Sequence, residues 1–208
     1  MYILYYLPGA CSLATQVVLH ELDQHVELVD VQQLSNFTDI NPVGSVPVLI
    51  DGDSTLREGA AILLHLLNKH KNSMLPTSGV SREQAIEDIL FANATMHPAY
   101  GRLFFIDQHI TDINAKQIAL TAAAEAINSL WQVVEQQLAG RDYLGGERPS
   151  AADIMLAVYF RWGAKYPITI TQGSNTSRML DAVQAMPSFQ RSLAAEQTRS
   201  AADAGVSP

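Results

Sequence analysis

The stretch NPVGSVPVLIDGDSTLREGAA, residues 41–61, constrains the fold more than any other part of the chain. Pro47 stands directly before the apolar run Val48-Leu49-Ile50. A proline cannot donate to a central ladder, so the backbone there is an edge or a deliberate bend. The Val46–Pro47 bond is also of the one type that tolerates cis at modest cost. After the run, Asp51-Gly52 reads as a hairpin turn, Ser54-Thr55-Leu56 as a short return strand and Glu58-Gly59 as a helix opening. Free N–H groups at a helix start beside a bent strand suit a carboxylate. The segment therefore reads as a binding site for an acidic, peptide-like ligand.

The flanking sequence supplies the rest of a small α/β domain. MYILYY, residues 1–6, suits a buried strand, and Pro8-Gly9 breaks it. From Ser12, the positions Leu13, Ala14, Val17, Val18 and Leu22 follow the spacing of an amphipathic helix. Val26, Leu28 and Val31 lie on or near a second strand, and a weakly patterned segment follows near Leu34–Phe37. Strand–helix–strand implies parallel pairing with a right-handed crossover, and the hairpin adds an antiparallel edge. Gly59–Lys69 closes the domain as a helix.

Beyond the breaker-rich connector His70–Ser73 and Pro76–Gly79 the pattern becomes helical and alanine-rich, with no convincing strand. Helices are expected over Ser81–His109 and Ala115–Leu138, from Ser150, and from Pro187. Ser150-Ala151-Ala152-Asp153 fits a capping box with Asp as its acid. The tail from Thr198 reads as fraying. The expected domains are residues 1–77 (α/β) and 78–208 (all-helical).

Bulk properties narrow the function. A chain of 208 residues at 48% hydrophobic and 16% charged supports real cores. No apolar run approaches the ~20 residues that span a bilayer, so no membrane role is expected. A formal charge of −8 argues against nucleic acid as a partner. One cysteine excludes a disulfide framework and a multi-cysteine metal site, and the six histidines show no ligand spacing, so no metal is expected. The apolar N-terminus lacks a cationic n-region, which reads as a first strand rather than a secretory leader, and the expected location is the cytoplasm.

Three motifs together resemble the glutathione transferase family, and within it the bacterial beta-type members. They are Tyr5-Tyr6-Leu7-Pro8-Gly9-Ala10-Cys11-Ser12-Leu13-Ala14, Asn41-Pro42-Val43-Gly44-Ser45-Val46-Pro47-Val48-Leu49, and Glu58-Gly59-Ala60-Ala61-Ile62. The Ser150–Asp153 box followed by Arg161-Trp162 is similar to the core of that family's C-terminal domain. The resemblance covers nearly the whole chain. It implies a thioredoxin-like N-terminal domain (βαβαββα), an all-helical C-terminal domain, a cis Val46–Pro47 bond and a homodimer. It also implies a detoxification enzyme joining the thiolate of glutathione, its co-substrate, to small hydrophobic electrophiles.

The resemblance also distributes roles. Cys11 sits where a loop enters a helix, and the N–H groups and dipole there are expected to lower its thiol pKa; the resemblance implies a cysteine that forms a mixed disulfide with glutathione or helps hold its thiolate, the alternative being an inert apolar filler. Ser12 either donates to a thiolate or caps the helix. Tyr6 aligns with the tyrosine that other transferase classes use to hold the thiolate, or is core. His97 falls where beta-type members carry a helical histidine, with Asn93, Tyr100 and Phe104 on its face, and assists deprotonation or binds the tripeptide. Glu58 and Gly59 clamp the γ-glutamyl end, while the backbone of Val46, exposed by Pro47, pairs with the cysteinyl unit. The electrophile is expected over Tyr100, Phe104 and Trp162.

One feature of charge departs from the family pattern. The first cationic residue is Arg57, preceded by Glu21, Asp23, Glu27, Asp30, Asp39, Asp51 and Asp53. Beta-type relatives usually place a lysine shortly after the second strand for the glycyl carboxylate; here that segment is Val31-Gln32-Gln33-Leu34-Ser35-Asn36. Arg57, Arg102 or a residue of a partner chain would have to replace it. Pro98 also follows His97 where a basic residue is common, and is expected to kink the helix. Two other readings stay open: a thiol–disulfide oxidoreductase using Cys11, and a non-catalytic scaffold of this fold that binds another protein.

Overall fold

In the computed structural model, which describes residues 1–204 apart from the side chains of Val80 and 198–204, the N-terminal run forms β1 (Tyr2–Tyr6). Tyr2, Leu4 and Tyr6 are buried and Ile3 and Tyr5 half-buried, the period-two alternation of a strand. Helix α1 (Ser12–Glu21), β2 (Val26–Asp30) and a 3-10 turn (Val31–Gln33) follow. The weakly patterned segment becomes the single turn α2 (Phe37–Ile40), and then come β3 (Val48–Asp51), β4 (Ser54–Leu56) and α3 (Gly59–Lys69). The sheet order is β2-β1-β3-β4, with β1 parallel to β2 and antiparallel to β3, and β3 antiparallel to β4. This is the expected βαβαββα arrangement.

The hairpin turn lies one residue later than expected. Asp51 pairs with Ser54, so Gly52 and Asp53 are the turn residues. Gly52 has φ of +59°, which glycine adopts without a Cβ clash. That shift leaves Asp51 on the strand, where its Oδ2 accepts from His65 Nε2 at 2.7 Å and from Lys69 Nζ, tying β3 to α3.

The helical region starts with α4 (Val80–Leu90), runs through a π-helical turn (Phe91–Met96) and continues as α5 (His97–His109). The sequence predicts one helix there, kinked at Pro98. Pro98 has no N–H for the preceding turn and its ring crowds that turn's carbonyl. The backbone widens into the π turn just upstream, and Pro98 then occupies the first turn of α5, where its missing donor costs nothing.

Next come α6 (Ile113–Gln137) and α7 (Ala151–Phe160). The capping box of α7 forms as expected: Ser150 Oγ accepts from the Asp153 N–H at 3.3 Å, and Asp153 Oδ2 accepts from the Ser150 N–H at 2.7 Å. Ala151 through Tyr159 are all buried, as an apolar helix must be. A 3-10 turn (Arg161–Lys165) leads to α8 (Ser174–Gln184), which the sequence did not announce, and α9 (Pro187–Ala204) begins at the expected proline. The expected fraying from Thr198 concerns side chains and a terminus outside the described residues.

The chain divides into two compact units, Met1–Leu75 with Gln184–Pro208, and Pro76–Val183. In the first unit α1 packs against β1, α3 and α9. This is why Ser12 through Leu19 are all buried and α1 is wider in its apolar contact than a single stripe. In the second, Trp131 of α6 is fully enclosed and donates its Nε1–H to the Tyr100 hydroxyl at 2.9 Å. Among the described residues no helix is long and apolar enough to cross a membrane.

Candidate active site

In the first unit the loop 7–11 turns between β1 and α1. The Ala10 N–H bonds to the Leu7 carbonyl at 3.0 Å, and Gly9 takes φ of +73°. Ser12 is fully buried; its Oγ accepts from the Leu7 N–H at 3.3 Å and donates to the Leu7 carbonyl at 3.4 Å. Ser12 therefore braces the loop from within and makes no cap, because Cys11 occupies the cap position. Tyr6 is fully buried at the end of β1.

Cys11 is half-buried, and its Sγ–H donates to the Val46 carbonyl at 3.3 Å. Burial pushes its thiol up to about 11, against the opposing pull of the backbone N–H groups of Cys11 and Ser12. The expected lowering by the helix start is thereby overturned: desolvation of the thiolate outweighs two amide dipoles. At pH 7.5 a thiol with such a pKa is ionised on the order of once in a few thousand molecules. Alkylation of Cys11 by iodoacetamide is expected to accelerate about tenfold per pH unit from 7 through 10, following the thiolate fraction. A plateau near pH 8.5 would return the thiol to its ordinary range.

The Val46–Pro47 peptide is cis, as the resemblance implied, and Pro47 is buried while Val46 is half-buried. The loop before it is held by Asn41, buried at 1% exposure, whose Nδ2 donates to the Ser45 carbonyl at 2.7 Å. Asn41 Oδ1 accepts from the Val43 N–H at 3.3 Å, an Asx-type turn. Asn41 was absent from the sequence-based site, although an asparagine two residues before an N–H in a turn is a readable signal. Arg57 lays its Nε–H on the Ile40 carbonyl at 2.9 Å. Among the described residues its terminal guanidinium nitrogens have no partner. Glu58 is the N-cap residue of α3, with an exposed side chain that makes no cap bond, and Gly59 opens the helix.

The second unit gathers the aromatic candidates. The His97 ring stands edge-on to Tyr159 at 5.1 Å and to Trp162 at 5.2 Å between centroids. Trp162 also meets Phe104 at 5.3 Å and Tyr100 at 6.0 Å. Burial holds the His97 imidazole below its usual range, so it is neutral at pH 7. Tyr100 is fully buried, with its hydroxyl pushed up by burial, and Trp162 is nearly so. Of the three proposed electrophile contacts, only Phe104 keeps half-exposed surface. Tyr159, one α-turn ahead of Trp162, belongs to this cluster and was missed because a tyrosine in an apolar helix looks like core.

The family model for the glutathione S-transferase N-terminal domain matches residues 1–68, and that for the C-terminal domain matches residues 92–178. Glutathione S-transferase GST-4.5 of Xanthomonas campestris is 30% identical over 199 residues, covering 93% of this chain and 98% of the relative. A sphingomonad glutathione S-transferase, solved in complex with glutathione, is 28% identical, covers 94% of this chain and 98% of its own, and has a TM-score of 0.81. The bacterial beta-class glutathione S-transferase of Sphingomonas chungbukensis is 27% identical, with coverages of 93% and 98% and a TM-score of 0.81. With both domain models matched in order, the chain belongs to the glutathione S-transferase family and stands beside its bacterial beta-class members.

Proposed function

We propose that the chain is a glutathione transferase that joins the glutathione thiolate to small hydrophobic electrophiles. The contact of 3.3 Å between the Cys11 thiol and the Val46 carbonyl carries this reading. A main-chain acceptor and a neutral S–H donor stand side by side there. An extended thiol peptide gives its own N–H to the Val46 carbonyl in strand fashion. That frees the Cys11 S–H to turn to the ligand's sulfur, and a hydrogen bond to a thiolate favours its ionised form. Glutathione bound in the sphingomonad relative supports the ligand's identity.

The other groups complete the grip. Glu58 meets the ligand's ammonium, and the N–H groups opening α3 meet its α-carboxylate. The guanidinium nitrogens of Arg57, without a partner among the described residues, are the first unit's candidate for the glycyl carboxylate. Ser12 and Tyr6 act through the loop and the strand rather than on the sulfur. Within the second unit, by family likeness, neutral His97 is the candidate proton acceptor and the half-exposed face of Phe104 beside Trp162 the candidate contact for the electrophile. By family likeness the protein works as a homodimer in the cytoplasm.

With a chloronitroarene, the carbon–sulfur bond forms, chloride leaves and the thiol proton passes to solvent. Turnover of this pair is the test. The Cys11→Ser variant is expected to keep transfer within about tenfold, the worth of one hydrogen bond to a charged sulfur, because serine still donates. A parent protein that exchanges disulfides and loses that activity on Cys11→Ser would instead be the oxidoreductase. No heat of glutathione binding at millimolar concentration would leave the scaffold.

A further inference from the structure

A buried acid far along the sequence reaches the thiol loop. Glu196 of α9 is only 5% exposed, yet its Oε2 accepts from the Gly9 N–H at 2.9 Å and its Oε1 from Gln16 Nε2 at 2.8 Å. Gly9 lies 187 residues away along the chain and Gln16 180. Burying a carboxylate is unfavourable unless hydrogen bonds replace its water, so the position of this side chain is set by the groups it holds. Those groups are the amide of the positive-φ glycine two residues before Cys11 and a fully buried glutamine one turn into α1.

The seam has a second pin. Ser192 Oγ, one turn earlier on α9, donates to the Ser188 carbonyl at 2.8 Å. Its single proton is thereby used, so His20 Nδ1, at 2.9 Å, donates to it. Residues 188, 192 and 196 thus share one face of α9, and Ser192 and Glu196 fasten it to His20 and Gln16 of α1. Local bonds hold the loop from inside through Ser12 and from the proline segment through Val46. Glu196 holds it from the other end of the chain.

Resting on the transferase reading above, we propose that Glu196 is a positioning residue for the thiol site: its two carboxylate oxygens fix loop 7–11 and the first turn of α1, and so set where the Cys11 sulfur points. Glutamine at this place retains the function. Its oxygen takes the Gly9 N–H, and its amide nitrogen donates to Gln16, whose Oε1 has no partner among the described residues and becomes the acceptor when that amide turns over. Alanine removes both bonds. Aspartate, one methylene shorter, cannot span both.

Glu196→Ala, Glu196→Asp and Glu196→Gln are compared with the parent in three readouts: iodoacetamide alkylation of Cys11 at pH 8, steady-state transfer to a chloronitroarene, and thermal unfolding. Alanine and aspartate are expected to speed alkylation at least fivefold, as the loop opens, and to lower kcat/KM for glutathione at least tenfold. Glutamine is expected within threefold of the parent in both. A merely structural role would lower the unfolding temperature of all three in proportion and leave the alkylation rate of the folded protein unchanged, which would overturn the proposal. Should Glu196→Ala not fold, Glu196→Asp carries the same comparison. Alkylation involves no glutathione, so a parent without transferase turnover would sink the transferase reading while the alkylation rates still decide whether Glu196 fixes the loop.

Discussion

Replacing Asp153 by alanine is expected to destabilise the second unit by about 3–5 kcal/mol, a large share of the 5–15 kcal/mol typical of a whole domain. Asp153 is fully buried, and its carboxylate accepts from the Leu144 N–H at 2.9 Å, the Gly145 N–H at 3.3 Å, and the Ser150 N–H and Oγ–H, both at 2.7 Å. Alanine leaves the buried amides of Leu144 and Ser150 without this acceptor, each costing about 1–3 kcal/mol, and turns the more exposed Gly145 amide over to water. The loop has little freedom to find substitutes. A Cβ on Gly145 would lie 2.4 Å from the Arg148 carbonyl oxygen, so the backbone there is already in close contact. Ser150→Ala, which removes the cap acceptor and one of the four donors to Asp153, is expected to cost about 1–2 kcal/mol. In a thermal melt, Asp153→Ala should fall by on the order of 10 °C and Ser150→Ala by a few degrees. Equal shifts would mean that the acid does no more than cap α7.

The same box was legible in the sequence, and the reason is its locality: cap, acid and apolar run lie within one helical turn. The βαβαββα order was legible for a similar reason, since period-two and period-3.6 patterns are written in adjacent residues. Features decided by distant atoms were not. α8 starts at a polar run whose N–H groups at Asn175 and Thr176 are taken by Glu135, 40 and 41 residues earlier. The pKa of Cys11 was expected to fall because the helix start is local, and it rises because burial is not. Glu196 sits in an alanine-rich helix with nothing nearby to mark it, its partners being Gly9 and Gln16. Pro98 is an intermediate case: the proline predicts a break, but only the packed structure shows it absorbed as a π turn ahead of α5. The cis bond at Val46–Pro47 and the helix start at Glu58–Gly59 were therefore readable, and the direction in which the Cys11 thiol shifts was misjudged.

Glu58→Gln is expected to do the opposite of Asp153→Ala: to leave stability untouched and remove ligand affinity. The Glu58 side chain is exposed and makes no cap bond to α3, so among the described residues nothing leans on its charge. Surface substitutions of this kind usually fall within 0.5 kcal/mol. In the proposed complex the same carboxylate faces the ammonium of the γ-glutamyl group, a charge-assisted pair worth about 1.5–3 kcal/mol. Glutamine keeps the shape and an acceptor oxygen but loses the charge, so KM for glutathione should rise roughly ten- to a hundredfold. The ammonium lies far from the reacting sulfur along the peptide, so its contact is equal in ground and transition states, and kcat should change less than threefold. Initial rates across a wide glutathione range at fixed chloronitroarene separate the two constants. A rise in KM with kcat preserved places Glu58 in the binding of the peptide's amino end; an unchanged KM would show that the carboxylate at the start of α3 is a solvated helix cap residue and nothing more.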